Sequence, residues 1–385
     1  MQVAASFDLV GSQPRALRRA LDKCVNSLGG RIGGGVVFVC GATPRPIEMI
    51  ADVLREMSLP NPVLVAGGGS VMTERGLHEG VAAFSGMFWQ TGHSVAFSVD
   101  QNGDSSVADR LAGIVRPIVS RASPTFLFAS REMVCSTDIF SSLHEFPVFG
   151  GGVLDKYGAA IVSDGAVTQA DAVGLALHGV GSSVIRVSTA CRLLGQPLPI
   201  TSVDGTLLLR IGDQSALDLL RDQAAHVVGQ RPVVLAIELP SEPGTRPRYM
   251  VRGIHGIHEG MKGVMASEPL PVGMRVAFSV LDSAAAATDL ETTLSEIKRD
   301  MRGSMPRFGF YMDCAGRGSN LYGQPDVDVH VLRRFFPGLP IAGVSLSFEI
   351  GPGGQGGQGG QGVSRVSRAA MHLYSGVFCL VYSPS

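Results

Sequence analysis

Tryptophan is almost missing from this 385-residue chain: there is one, beside 6 tyrosines. Platforms for stacking nucleic-acid bases are therefore scarce. Charge is sparse as well, at 17% of residues, and the formal net charge is −1. No Lys/Arg cluster is long enough to follow a phosphate backbone, so nucleic acid is not expected as a partner. No run of about 18 residues is apolar and uncharged, which argues against a membrane span. The N-terminal MQVAASFDLVGSQPR has no basic segment leading into an apolar one, so no signal peptide is expected. The cysteines (Cys24, Cys40, Cys135, Cys191, Cys314 and Cys379) never form a C-x-x-C unit. That pattern supports neither a zinc cluster nor a small disulfide framework. A cytoplasmic protein with reduced thiols is expected.

What the chain has in quantity is glycine, 50 residues, and proline, 22. They punctuate short apolar runs, as in a protein of many strands joined by tight turns. VVFVCG (Val36 to Gly41) is followed by apolar residues at helical spacing, Ile47, Ile50, Val53 and Leu54, and then by NPVLVAGGGS. This strand–helix–strand order predicts an α/β fold. VAFSV occurs twice, at Val95–Val99 and Val276–Val280. Each copy leads to a helical stretch, with Ser105 or Ser106 and Thr288 as expected N-caps. Each then reaches a Phe-x-Phe strand (Phe126–Phe128, Phe308–Phe310) and a Pro-apolar-x-Gly (Pro147–Gly150, Pro340–Gly343). The expectation is two related domains, each a mixed sheet covered by helices, divided near Gly229 to Arg231. YMVRGIHGIHEG reads as a strand pair joined by a glycine-rich turn. GPGGQGGQGGQG, from Gly351 to Gly362, is low in complexity and reads as a surface loop.

The second copy is the longer one, and its extra length holds MDCAGRGSNLYG. A loop leaving the carboxyl end of an α/β strand is where ligands usually sit. Gly316 and Gly318 permit positive φ, which turns backbone amides toward an anion. Arg317 offers a planar fork for a carboxylate. Glu349 follows another strand expected in the same sheet. If both point into one cleft, they bind a zwitterion between them; otherwise they bridge each other. Cys314 reads as a thiol in the pocket wall, or as a nucleophile if a base comes near. His255 and His258 have H-x-x-H spacing, but no third ligand is evident, so no metal site is expected. Asp326 and Asp328 read as the opening of a helix, where acids favour the dipole. The runs Gly33–Gly35 and Gly67–Gly69 lack the Lys-Ser/Thr of a phosphate loop, and G-x-S-x-G is absent. No cofactor is expected.

On VLVAGGGSVMTERG, FGGGVLDKYGAAIVSDG, CRLLGQPLPITSVDG, CAGRGSNLYG and LPIAGVSLSFEIGP, the chain resembles the FIST family. The resemblance runs from about Gly30 onward and places a FIST N-terminal domain at 30–229 and a FIST C-terminal domain at 230–385. It implies a cytoplasmic sensory or ligand-binding module for a small ligand such as an amino acid; with no output domain read in the chain, signalling is expected to pass to a separate protein. No catalysis is implied. Asp155 matches an Asp of the family's N-terminal pattern and is a candidate ligand contact or turn cap. The chain departs from the family at Gly68 and Gly69, where a Cys or Ser is usual, and at Phe348, where Gly is usual. An enzyme using Cys314, or a scaffold with a vestigial cleft, are the rival readings. The ligand, the partner and the oligomeric state, a homo-oligomer included, stay open.

Overall fold

The computed structural model describes residues 3–59, 61–100, 106–120, 122–129, 143, 146–154, 157–227, 231–241, 244–353 and 369–383. The fold is mixed α/β, and the chain divides into two compact units. The first is Met1–Ser188, Leu290–Met371 and Ser375–Ser385; the second is Thr189–Asp289 and His372–Tyr374.

The first unit is built on three six-stranded sheets. In strand order, the first sheet is Ala4–Val10, Ala83–Trp89, Gly34–Cys40, Val63–Gly67, Ala159–Ser163 and Ala166–Gln169. The second is His93–Val99, Ala172–His178, Thr125–Ala129, Val148–Gly152, Glu349–Pro352 and Ala369–His372. The third is Ser182–Thr189, Ser375–Ser383, Met305–Cys314, Ile341–Leu346, Ser70–Thr73 and Gly76–Glu79. In each sheet the third and fourth strands run parallel. Antiparallel strands flank that pair on both sides. The parallel strands are buried along nearly their whole length, which is why they read as continuous apolar runs.

The last two strands of each sheet come from elsewhere in the chain. Val63–Gly67 of the first sheet runs into the two strands that finish the third. Val148–Gly152 of the second runs into the pair that finishes the first. Ile341–Leu346 of the third runs into the pair that finishes the second. The exchange closes into a ring. Backbone hydrogen bonds join the segments where they cross: Gly69 N to Ser345 O at 2.8 Å, Gly152 N to Phe348 O at 2.9 Å, and Gly67 N to Gly158 O at 3.1 Å.

One face of all three sheets meets in a single core that includes Phe38, Phe126, Phe128, Phe149, Phe308 and Phe310. Phe126 lies 4.3 Å from Phe149 and 4.7 Å from Phe310, between ring centroids. The predicted helix is Pro46–Met57, and it packs with Pro14–Ser27 on the first sheet through Leu17, Ile50 and Leu54. Ser283–Asp300 and Val327–Phe335 supply Leu294, Ile297 and Leu332 to the third sheet.

The second unit is a nine-stranded sheet whose described pairs are all antiparallel, with the helix Ala216–Ala224 and the start of Ser283–Asp300. The chain enters and leaves it side by side, Asp282 N donating to Ala190 O at 3.0 Å. In sequence it interrupts the step from first strand to helix of the third sheet. In the first sheet that step takes only residues 11–13.

This arrangement revises the repeat. The Phe-x-Phe and Pro-apolar-x-Gly segments do occupy equivalent parallel strands, in the second and third sheets. The two VAFSV words do not correspond: Val95–Val99 is in the second sheet, whereas Val276–Val280 lies in the second unit. The equivalent place in the third sheet belongs to Ser182–Thr189. Ser106 caps its helix by accepting from Asp109 N, but Thr288 lies inside Ser283–Asp300, where Asp282 accepts from Ala285 N instead. Arg248–Arg252 and Ile254–His258 do not pair; the latter pairs with Gly263–Ala266. Most of the Gln-Gly-Gly tract lies outside the described residues, after the strand Glu349–Pro352.

Candidate functional site

The site lies within the first unit, where Met305–Cys314 ends. The turn after Cys314 is set by Arg317 N donating to Cys314 O at 2.7 Å. Gly318 follows with φ 56°, a value that side chains resist. It starts the short helix Ser319–Tyr322, which ends at Gly323.

This geometry turns the Arg317 side chain inward, leaving it fully covered. Its Nε donates to Asp328 Oδ2 at 2.8 Å and its Nη2 to Asp328 Oδ1 at 3.0 Å. Nη2 also donates to Tyr322 Oη at 2.7 Å. Tyr322 and Tyr311 donate their hydroxyls to the same carboxylate at 2.6 and 2.9 Å. Burial alone would raise the Asp328 pKa; the Arg317 charge and these hydrogen bonds outweigh it and hold the carboxyl below its usual range. Burial pushes the Tyr311 and Tyr322 hydroxyls up, so both stay protonated donors. Arg317 and Glu349 therefore do not bridge each other. Asp328 does sit in a first helical turn, but its role is to neutralise a buried guanidinium.

Glu349 begins its strand and is 0% exposed. Its Oε2 accepts from Ser375 N at 3.1 Å. Its Oε1 has no hydrogen-bond partner among the described residues, and the same holds for Arg317 Nη1. Asp313, also buried, accepts from Ser345 Oγ at 2.5 Å, and Ser345 shares a hydrogen bond with Ser70. Burial pushes the Asp313 carboxyl up to about 7. Burial also drives Glu349 well above the carboxylate range, and the Asp313 charge adds to that. Cys314 is buried beside Glu349, and its sulfur accepts from Gly316 N at 3.4 Å.

The departures from the family pattern have local causes. A Cβ at Gly68 would stand 2.3 Å from Ser345 O, so the crossing backbone requires glycine there. A Cβ at Gly69 would meet Ala315 Cβ at 3.2 Å, a contact a small shift relieves. Phe348 is buried, and its ring lies where a side chain at Gly152 would be.

Cys314, Gly316, Arg317 and Glu349 thus lie in one neighbourhood, with Gly318 shaping the turn. Asp155 lies outside the described residues. His255 and His258 are exposed in the second unit, His258 Nδ1 accepting from Met261 N at 3.1 Å. Among the described residues no cluster of three or more His, Cys, Asp or Glu could hold a metal. A surface cavity lined by Leu54, Arg55, Asn61 and Asp164 shares no residue with the site, and Arg55 is already paired with Asp52 at 2.6 Å. Sequence reasoning missed Asp313, Ser345 and Ser70, and read Asp328 as a helix opener without its pairing to Arg317. Asp313 carried a signal, an acid inside an apolar strand, where charges are rarely buried without a partner.

The chain matches the models of the FIST N domain over residues 35–214 and the FIST C domain over 214–352. An uncharacterized protein of Mycobacterium tuberculosis, strain CDC 1551, is 30% identical over 192 residues, 47% of this chain and 49% of its own length. An uncharacterized protein of Mycobacterium bovis is 29% identical over 195 residues, 48% of this chain and 50% of its own. The chain thus spans about half the length of the curated relatives it matches. Among the described residues no helix is long and apolar enough to cross a membrane.

Proposed function

The chain belongs to the FIST family, whose domains are associated with sensory ligand binding, and we propose that it recognises a small polar metabolite at the strand-end site of its first unit. One observation carries this: Glu349 is fully buried and still has an unused carboxyl oxygen. A buried acceptor without a partner costs about 1–3 kcal/mol, so a ligand donor there regains a lost hydrogen bond. Arg317 contributes through Nη1, its one unused nitrogen. Its net charge is cancelled by Asp328, so it supplies a hydrogen bond more than an attraction. Cys314 and Gly316 form the wall, and a zwitterion such as an amino acid fits this set. The signal passes to a separate protein.

The test is a thermal-shift screen of amino acids, simple amines and small carboxylates. At least one class raises the wild-type Tm, and Glu349→Gln reduces the response. If no compound shifts the wild type, the reading is wrong. Arg317→Ala is a poor control, because it strands Asp328 in the core.

A further inference from the structure

The charges around Glu349 do not balance. Three carboxyls, Asp313, Asp328 and Glu349, are buried together with one guanidinium, Arg317. Arg317 is engaged by Asp328 through two hydrogen bonds. The other groups acting on Glu349 are the Ser375 amide, Asp313 and the Cys314 side chain, which hydrogen-bonds with the Glu349 carboxyl. Among these groups Arg317 is the cation; His372, buried at the end of the strand next to Glu349–Pro352 in the second sheet, is a further titratable group. Two bare carboxylates in such a place cannot both stay ionised, so the pair holds at least one proton. The unused Oε1 marks where a cation would be drawn.

Resting on the reading above, we infer that binding here is a proton exchange: a ligand's protonated amine pairs with Glu349 as the Glu349 carboxyl releases its proton to solvent. The balance is simple. Neutral acid plus ammonium gives an ion pair plus one free proton, with no other reactant. The Ser375 amide already stabilises the ionised form through Oε2, and Oε1 receives the ammonium. The directions of the pKa shifts agree: burial holds Glu349 and Asp313 in their neutral forms. Release of that proton makes the ligand's affinity a function of pH, so the sensor reads two inputs at one site.

The experiment titrates the full chain with methylammonium, glycine and acetate between pH 5 and pH 8. Methylammonium and glycine are expected to gain affinity as pH rises, by up to about tenfold per unit over the part of the range where Glu349 is protonated. Acetate shows no such gain. Binding enthalpy in Tris and in phosphate differs in proportion to the proton released, a readout that needs no variant. Glu349→Gln abolishes both effects. A probe that binds with pH-independent affinity and buffer-independent enthalpy overturns the proton exchange and leaves the ligand-binding reading standing. An equal pH slope in Glu349→Gln does the same. If no probe binds at any pH, both fall.

Discussion

Two ends of one buried polar cluster behave in opposite ways. Around Arg317, the charges cancel and the carboxylate of Asp328 takes four hydrogen bonds. Around Glu349, acids face acids and an oxygen goes unused. The first end is what a core does with a charge it has to keep: it surrounds it with partners. The second is left incomplete, and incompleteness in a core is tolerated where something outside completes it. The difference separates Arg317, whose charge is answered by Asp328 with only Nη1 left over, from Glu349, whose carboxyl lies by another acid.

The sharpest way to break that contrast is Asp328→Ala. It leaves Arg317 charged and alone, and unfolding in urea should show a loss of about 3–5 kcal/mol. A loss below about 1 kcal/mol would mean that the Arg317 end is not a structural knot. Asp313 tests the other end through pH. Its folded value, about 7, lies above the unfolded 3.8, so its stabilising contribution is full below pH 3.8 and is lost as pH rises to about 7. Asp313 should lower stability over that window by up to about 1.4 kcal/mol per pH unit, and Asp313→Asn should make the curve shallower, leaving the share that Glu349 contributes with the same sign. Asp328 acts with the opposite sign: its contribution is present above 3.8 and disappears as pH drops below it. An Asp313→Asn curve that superimposes on the wild type would remove the distinction between the two ends. Smallest is Tyr322→Phe, which removes one donor among several and should cost about 0.5–1.5 kcal/mol by the same urea assay.

Much of the local structure was legible. Ile47, Ile50, Val53 and Leu54 announced their helix by spacing, and the two Phe-x-Phe segments their strands. The strand–helix–strand order of the remaining parallel pair was legible too, but not its kinship with the other two, because its first strand reads GGVVFVC, without the Phe-x-Phe word. Strand exchange was invisible for a different reason: pairing such as Val71 with Val344 depends on partners that no local pattern encodes. The site shows the same divide. Sequence placed Cys314, Gly316, Arg317 and Glu349 near one another. It could not say that Arg317 would choose Asp328, since an acid in a first helical turn already has an adequate local explanation.

The ring of exchanged hairpins also has a timetable. Met72 pairs with Gly343, 271 residues later in the chain. At synthesis rates of about 5–20 residues per second, the Ser70–Glu79 hairpin waits roughly 15–50 s for its place. Through that interval the nascent chain carries the apolar Val71 and Met72, both fully buried at the end, without the strand they pair with. The strand that receives them, Ile341–Leu346, is also the one that delivers Glu349, so the same late segment serves both the hairpin and the site.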